Sequence, residues 1–274
     1  MSSTLRFEFG DNWTRFLSEL DDDRIDEAVA SLKEFLDVES FEGKRFLDIG
    51  SGSGLFSLAA RRLGATVVSF DFDDQSVACT RELRRRYYPD EETWRIEQGS
   101  ALDGEYLDSL GTFDVVYSWG GHHHTGAMWP GIENTISCVG ETDAKIFIAI
   151  YRDQGWKSHF WWFVKLLYNK LPRLMKPAFV WVIAVFTRIL VILKYTVKLK
   201  PMVAIAPLFR DRRARGMSAK YDRVDWIGGF PYEFSDFETL IEYFQRRGFS
   251  VIKGNRNTSL GCHELAFKRA LCAE

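Results

Sequence analysis

Three glycines, Gly50, Gly52 and Gly54, stand between the apolar run "FLDI" and the helical pattern "LFSLAARRL", and a second apolar run, "ATVVSF", ends on Asp71. A Gly-rich turn between a strand and a helix aims backbone N–H groups and a positive helix end at whatever lies above it. Such a loop receives an anionic or strongly polar ligand, and side chains there would fill the ligand's place. The dinucleotide fingerprint G-x-G-x-x-G needs a third glycine where this chain has Leu55, so the spacing departs from the NAD pattern. Further on, "GGHHHTG" places His122, His123 and His124 in one short loop. An imidazole with a pKa of about 6.5 takes a hydroxyl or phenol proton at neutral pH. Neighbouring side chains diverge, so the three cannot face one point, and no metal is expected.

These groups need a scaffold. "KRFLDIG", "ATVVSFD", "TWRIEQ", "FDVVYSW" and "AKIFIAIY" read as short buried strands. Between them run helices over "GLFSLAARRLG", over 74–87 and over 128–138. Strands alternating with helices of this length require a parallel sheet covered on both faces. Upstream, residues 12–36 have helical spacing interrupted by the acidic run 21–23, which caps a second N-terminal helix. Alternation stops at Asp153 for about 75 residues and resumes with a helix "SDFETLIEYFQRRG" and strands "FSVIKG" and "CHELAFKR".

With Asp48 two residues before the first glycine, "DIGSGSG" resembles motif I of the class I S-adenosylmethionine-dependent methyltransferases. The resemblance covers about residues 44–151 and returns over 249–269. It implies an α/β fold: a Rossmann-like seven-stranded methyltransferase sheet with helices on both faces and a helical insertion between the fifth and sixth strands. It also implies that Asp48, Gly50, Ser51, Gly52 and Gly54 form the cofactor loop, with Asp71 on the ribose hydroxyls and Phe72 on the adenine. Ser100 and Ala101 follow the third strand where the family often has Gly-Asp-Ala, so Ser100 is a departure; Trp119 ends the fourth strand on the cofactor side. The cofactor implied is S-adenosyl-L-methionine, with S-adenosyl-L-homocysteine as product and no metal. By the same resemblance His123 stands nearest the substrate, as base, with His124 packed behind it.

Other residues are candidates for the acceptor pocket. Tyr151 and Asp153 leave the fifth strand at the crevice edge, and Tyr221, Asp222, Trp226 and Glu233 gather where the insertion rejoins the sheet. Trp13 belongs to an N-terminal helical lid, residues 1–43. The methyltransferase domain is then 44–152 with 229–274, and the insertion is 153–228.

The insertion is unlike the rest. Between Asp153 and Asp211 there is no acidic residue but ten basic ones, while the remainder of the chain has 26 basic against 38 acidic. Segregated charge speaks of partners rather than of fold. The longest uncharged stretch in "AFVWVIAVFTRILVILKYTVKL" is the ten residues 178–187, short of the roughly 18 to 20 that a membrane span requires. Thr187, Lys194 and Lys198 share one face of a helical wheel, and Arg188 sits off it. The expectation is an amphipathic cap whose apolar face is buried on the sheet domain or on a second subunit of a homodimer; peripheral membrane contact through 156–200 stays open. A helical insertion at this place also occurs in the ubiquinone-pathway O-methyltransferases, whose layout this chain resembles, which implies a lipophilic phenol or quinol.

The leading expectation is O-methylation of a small molecule, lipophilic or anionic. Alternatives are a lipid-linked acceptor, a nucleic acid, or a non-catalytic membrane-peripheral binding protein. Nucleic acid is disfavoured because the fourth strand lacks an Asn/Asp-Pro-Pro-Tyr signature and no separate basic module is present. Cys79, Cys138, Cys262 and Cys272 lie far apart without a C-x-x-C pair, and the N-terminus reads as no signal peptide, which together favour a reducing cytoplasm.

Overall fold

The computed structural model describes residues 7, 13, 16–18, 20–89, 92–197, 226–259 and 261–270. Seven strands, β1 (Arg45–Ile49), β2 (Thr66–Asp71), β3 (Trp94–Gln98), β4 (Val115–Trp119), β5 (Lys145–Tyr151), β6 (Phe249–Asn255) and β7 (Cys262–Arg269), form one sheet in the order β3-β2-β1-β4-β5-β7-β6. β1 to β5 pair in parallel, and β7 inserts antiparallel between β5 and β6.

Strand alternation sorts the core into two layers. Phe46, Val67, Val115, Tyr117, Phe147 and Ala149 face helices α1 (Asp22–Leu36), α2 (Leu55–Arg62) and α3 (Asp74–Tyr87). Leu47, Ile49, Val68, Phe70, Val116, Ile146 and Ile148 face α4 (Gly104–Leu110), α5 (Met128–Ser137) and α8 (Phe237–Gln245). Asp21 caps α1 as its acidic run implies, its side chain accepting from Arg24 N. Helix α4, seven residues capped by Asp103, was not among the sequence expectations. Residues 13 and 16–18 are helical, and the remainder of the expected first N-terminal helix lies outside the described residues.

Between β5 and α8 come α6 (Trp156–Lys170), a 3₁₀ turn (Arg173–Met175) and α7 (Lys176–Val197). Helix α6 buries Ser158, Trp161, Val164, Lys165 and Tyr168. Trp161 and Val164 form a small third cluster with Tyr232, to which Tyr151, Trp226 and the first half of α7, through Phe179 and Ile183, are added. Within the chain, α7 does not bury its apolar face on the sheet domain. Thr187 and Arg188 lie on its half-buried side, and Trp181, Phe186, Ile189 and Leu193 are exposed. A wheel shows that two faces differ; which one meets the protein depends on where Phe179 and Ile183 dock.

The chain returns along the exit of β5. Ser235 N donates to Tyr151 O and Asp153 N to Ser235 O, both at 2.9 Å, and Glu233 N donates to His123 O at 3.0 Å. Phe7 N donates to Phe230 O at 2.9 Å, which holds this part of the N-terminal segment against the same stretch.

Candidate active site

A cleft of about 550 Å³ opens over the carboxyl ends of β1 and β4, where the strand order reverses and α/β sheets receive their ligands. Its floor is the glycine turn. Gly50, Gly52 and Gly54 have φ of +75°, +55° and +81°, which side chains rarely tolerate. A Cβ on Gly52 would meet the Trp13 indole at 2.9 Å. Asp71 pins the turn: its Oδ2 accepts from Gly52 N at 3.0 Å and its Oδ1 from Asp73 N at 2.9 Å. The carboxylate therefore stays fixed at the end of β2, at the edge of the cleft that it lines.

Beneath the turn is a buried polar chain. Trp94 Nε1 donates to Ser69 Oγ at 2.8 Å, the Ser69 and Ser57 hydroxyls are 2.7 Å apart, and Ser57 Oγ donates to Asp48 Oδ2 at 2.5 Å. Asp48 and Ser69 are register partners on β1 and β2, so strand alternation turns both toward α2. Burial pushes the Asp48 carboxyl up from 3.8 to about 7, opposed by the Ser57 hydrogen bond and reinforced by Asp71.

Phe72 and Ala101 line one end of the cleft. Ser100 lines it too, while its hydroxyl accepts from Leu102 N at 3.2 Å. Opposite, Trp119 Nε1 donates to Glu264 Oε1 at 3.1 Å, and Asn255 Nδ2 donates to Glu264 Oε2 at 3.0 Å.

The far end is aromatic. His122, His123 and His124 form a buried 3₁₀ turn. His122 points away under α5, its Nε2 3.3 Å from Thr135 Oγ1 and its pKa lowered to about 4 by burial. His123 lies 3.8 Å from the Tyr151 ring and its Nδ1 accepts from Tyr151 N at 3.3 Å. Burial, with help from His124, Lys165 and His122, holds its pKa well below the usual 6.5, against a hydrogen bond with the Ala149 backbone. His124 Nδ1 lies 2.7 Å from Pro231 O. A carbonyl only accepts, so Nδ1 carries the ring proton and the lone pair of the neutral imidazole is on Nε2. Both rings line the cleft: His123 is fastened to the β5 backbone through Nδ1, and His124 is held through Nδ1 by the Pro231 carbonyl.

Residues 46–139 match the methyltransferase domain family, described as "Methyltransferase domain". Over 84 residues the chain is 36% identical to the ribosomal protein L11 methyltransferase of Halorhodospira halophila, covering 30% of this chain and 29% of that protein. An rRNA N6-adenosine methyltransferase of Caenorhabditis elegans is 34% identical over 93 residues, 32% of this chain and 42% of its own. The chain thus spans less than half the length of these relatives. A magnesium protoporphyrin IX methyltransferase from Synechocystis PCC 6803, solved with S-adenosylhomocysteine bound, superposes with a TM-score of 0.53 over 95% of this chain and 94% of that one, at 13% identity. The chain carries a class I S-adenosylmethionine-dependent methyltransferase domain.

Within this methyltransferase domain the cleft gathers most of the sequence candidates: Asp48, Gly50, Ser51, Gly52, Asp71, Phe72, Ser100, Ala101, Trp119, His123, His124, Tyr151, Trp226 and, from the N-terminal segment, Trp13. Three candidates are elsewhere. Gly54 is not part of the lining; it lets α2 approach α3, since a Cβ there would meet Thr80 at 2.9 Å. Asp153 is exposed and accepts from Gly155 N at 2.7 Å. Glu233 caps α5, its Oε2 accepting from Gly126 N at 2.9 Å and its Oε1 from Met128 N at 3.0 Å. Tyr221 and Asp222 lie outside the described residues. Sequence reasoning missed Glu264 and Asn255, whose signal is a carboxylate in the middle of the apolar strand "CHELAF". Among the described residues no cluster of three or more His, Cys, Asp or Glu side chains is arranged to hold a metal.

The cleft fits the family's cofactor. The glycine cradle carries no side chains of its own at Gly50 and Gly52, with the Trp13 indole lying against Gly52, while Asp71 stands at the end of β2 and Phe72 presents an exposed ring in the same cleft. A volume of this order accommodates a ligand of nucleoside size.

Proposed function

We propose that this protein transfers a methyl group from S-adenosylmethionine to the hydroxyl or phenol oxygen of a small, lipophilic molecule. The observation that carries the reading is the hydrogen bond of 2.7 Å between His124 Nδ1 and Pro231 O, which puts the lone pair of the neutral ring on Nε2 in a residue that lines the aromatic end of the cleft. The cofactor supplies an electrophilic methyl on a positively charged sulfur. Asp71 and the turn it pins orient the nucleoside end, and Phe72 covers the base. Tyr151 and Trp226, 5.2 Å apart and edge to face, line the acceptor end and exclude water. His124 Nε2 takes the hydroxyl proton as the oxygen attacks in line, which leaves proximity and proton removal as the chain's own contributions.

The test incubates the protein with methyl-labelled S-adenosylmethionine and a cell extract, then separates organic-soluble, aqueous and acid-precipitable label. Organic-soluble product that falls about 10²- to 10⁴-fold in His124→Gln, with S-adenosylhomocysteine affinity kept within about threefold, is the expected result. Acid-precipitable label removed by ribonuclease or protease would instead assign a macromolecular acceptor of the kind named for the sequence relatives.

A further inference from the structure

Helix α7 is turned inside out for a soluble protein. Its half-buried side carries Phe179, Ile183, Thr187 and Arg188, and the Arg188 guanidinium has its Nη2 fully shielded from solvent. Its outward side carries Trp181, Val182, Phe186, Ile189, Leu190 and Leu193, with Trp181 68% and Leu193 56% exposed. Helix α6 also exposes large apolar side chains, Trp156, 73% exposed, with Trp162 and Phe163. Burying these groups in water-free surroundings is favourable at roughly 25 cal/mol per Å², and monomeric proteins seldom leave so broad an apolar patch in water.

What covers it is indicated by charge. Lys157, Lys170, Arg173 and Lys176 frame the apolar surface on the two helices, and no Asp or Glu occurs in the sequence from 154 to 210. A second copy, whose sequence outside this block is acidic, would bring a matching patch of the same positive sign. An anionic headgroup layer above an acyl interior complements both the cations and the apolar face. Tryptophans at the edge of such a surface occupy the headgroup boundary.

We propose that α6 and α7 embed in an anionic lipid bilayer with α7 lying along the membrane plane. The stretch Arg173–Leu193 is 21 residues long and apolar enough to cross a membrane. Phe179 and Ile183 nevertheless tie its first half to the cluster of Trp161 and Tyr232, and Thr187 and Arg188 lie on the half-buried side rather than the outward one. Lying flat keeps those contacts and immerses the outward face. The proposal does not depend on the methyl acceptor, but the hairpin's inner side backs the cleft: Lys165 of α6 sits 4.6 Å from the Trp226 ring centre and 5.4 Å from that of Tyr151.

The full-length protein is sedimented with vesicles of phosphatidylcholine alone and of phosphatidylcholine with about a quarter phosphatidylglycerol. Expected are binding to the anionic vesicles, weakening with salt, and a loss of at least about tenfold in Ile189→Glu, whose side chain is outward and whose melting temperature should match the parent. Tryptophan fluorescence, read as the difference between the parent and Trp181→Phe, should be quenched more by bromines near the headgroup than by bromines near the chain ends. Equal binding by Ile189→Glu, preference for neutral vesicles, or strongest quenching at the chain ends would overturn the proposal. So would a stable dimer without vesicle binding that Ile189→Glu converts to monomer, since the face would then belong to a second copy.

Discussion

The buried Asp48 carboxyl gives a quantitative prediction. Its pKa is raised from 3.8 to about 7, chiefly by burial. In the window between those values the folded protein holds a proton that the unfolded chain releases, so stability falls as pH rises, by up to about 1.36 kcal/mol per pH unit. The favourable contribution is complete below pH 4 and gone above pH 7, a total of about 4 kcal/mol. Asp48→Asn keeps the volume and an oxygen to accept from Ser57 but cannot ionise. Urea unfolding of both proteins from about pH 4.5 to pH 8 should show the variant gaining on the parent by about 3 to 4 kcal/mol across the range. The buried histidines His122, His123 and His263, with lowered pKa values, that of His263 down to about 4, act in the opposite direction. They stabilise as pH rises toward 6.5, are present in both proteins, and cancel in the difference. A difference constant to within about 0.5 kcal/mol would refute the reasoning, because it would mean that the Ser57 hydrogen bond fully compensates the loss of water.

Two further outcomes follow from the hydrogen bonds. In Asp71→Asn only one oxygen remains to accept, so either Gly52 N or Asp73 N loses its partner; S-adenosylhomocysteine should bind about 10- to 100-fold more weakly by calorimetry, and unchanged affinity would contradict the assignment. Glu233→Ala removes both bonds that cap α5 and should destabilise the fold by about 2 kcal/mol in urea, with Glu233→Gln recovering part of that loss.

Much of the sheet was legible because its residues obey short-range rules. Strand runs such as "FLDIG" and "AKIFIAIY" are apolar on both faces, and the helices between them end at recognisable caps. Helix α4 was not legible: seven residues give scarcely two turns, too few for a period to emerge. The site was legible where backbone geometry dictates residue type, as at Gly50 and Gly52. It was not legible where direction matters. Which ring nitrogen of His124 carries the proton depends on a carbonyl at Pro231, over a hundred positions away. Gly54 and Glu233 carried the right residue types for a site and serve packing and capping instead.

The segment 230–235 makes the loop of histidines and the helical hairpin mechanically one piece. Pro231 O sets the His124 tautomer, Glu233 holds both the His123 carbonyl and the start of α5, and Tyr232 sits in the cluster beneath α6. The hairpin is therefore not an interchangeable module. A chimera that received α6 and α7 without residues 230–235 would acquire the apolar surface but lose the carbonyl that orients the His124 ring, so the surface and that ring's orientation are inherited together.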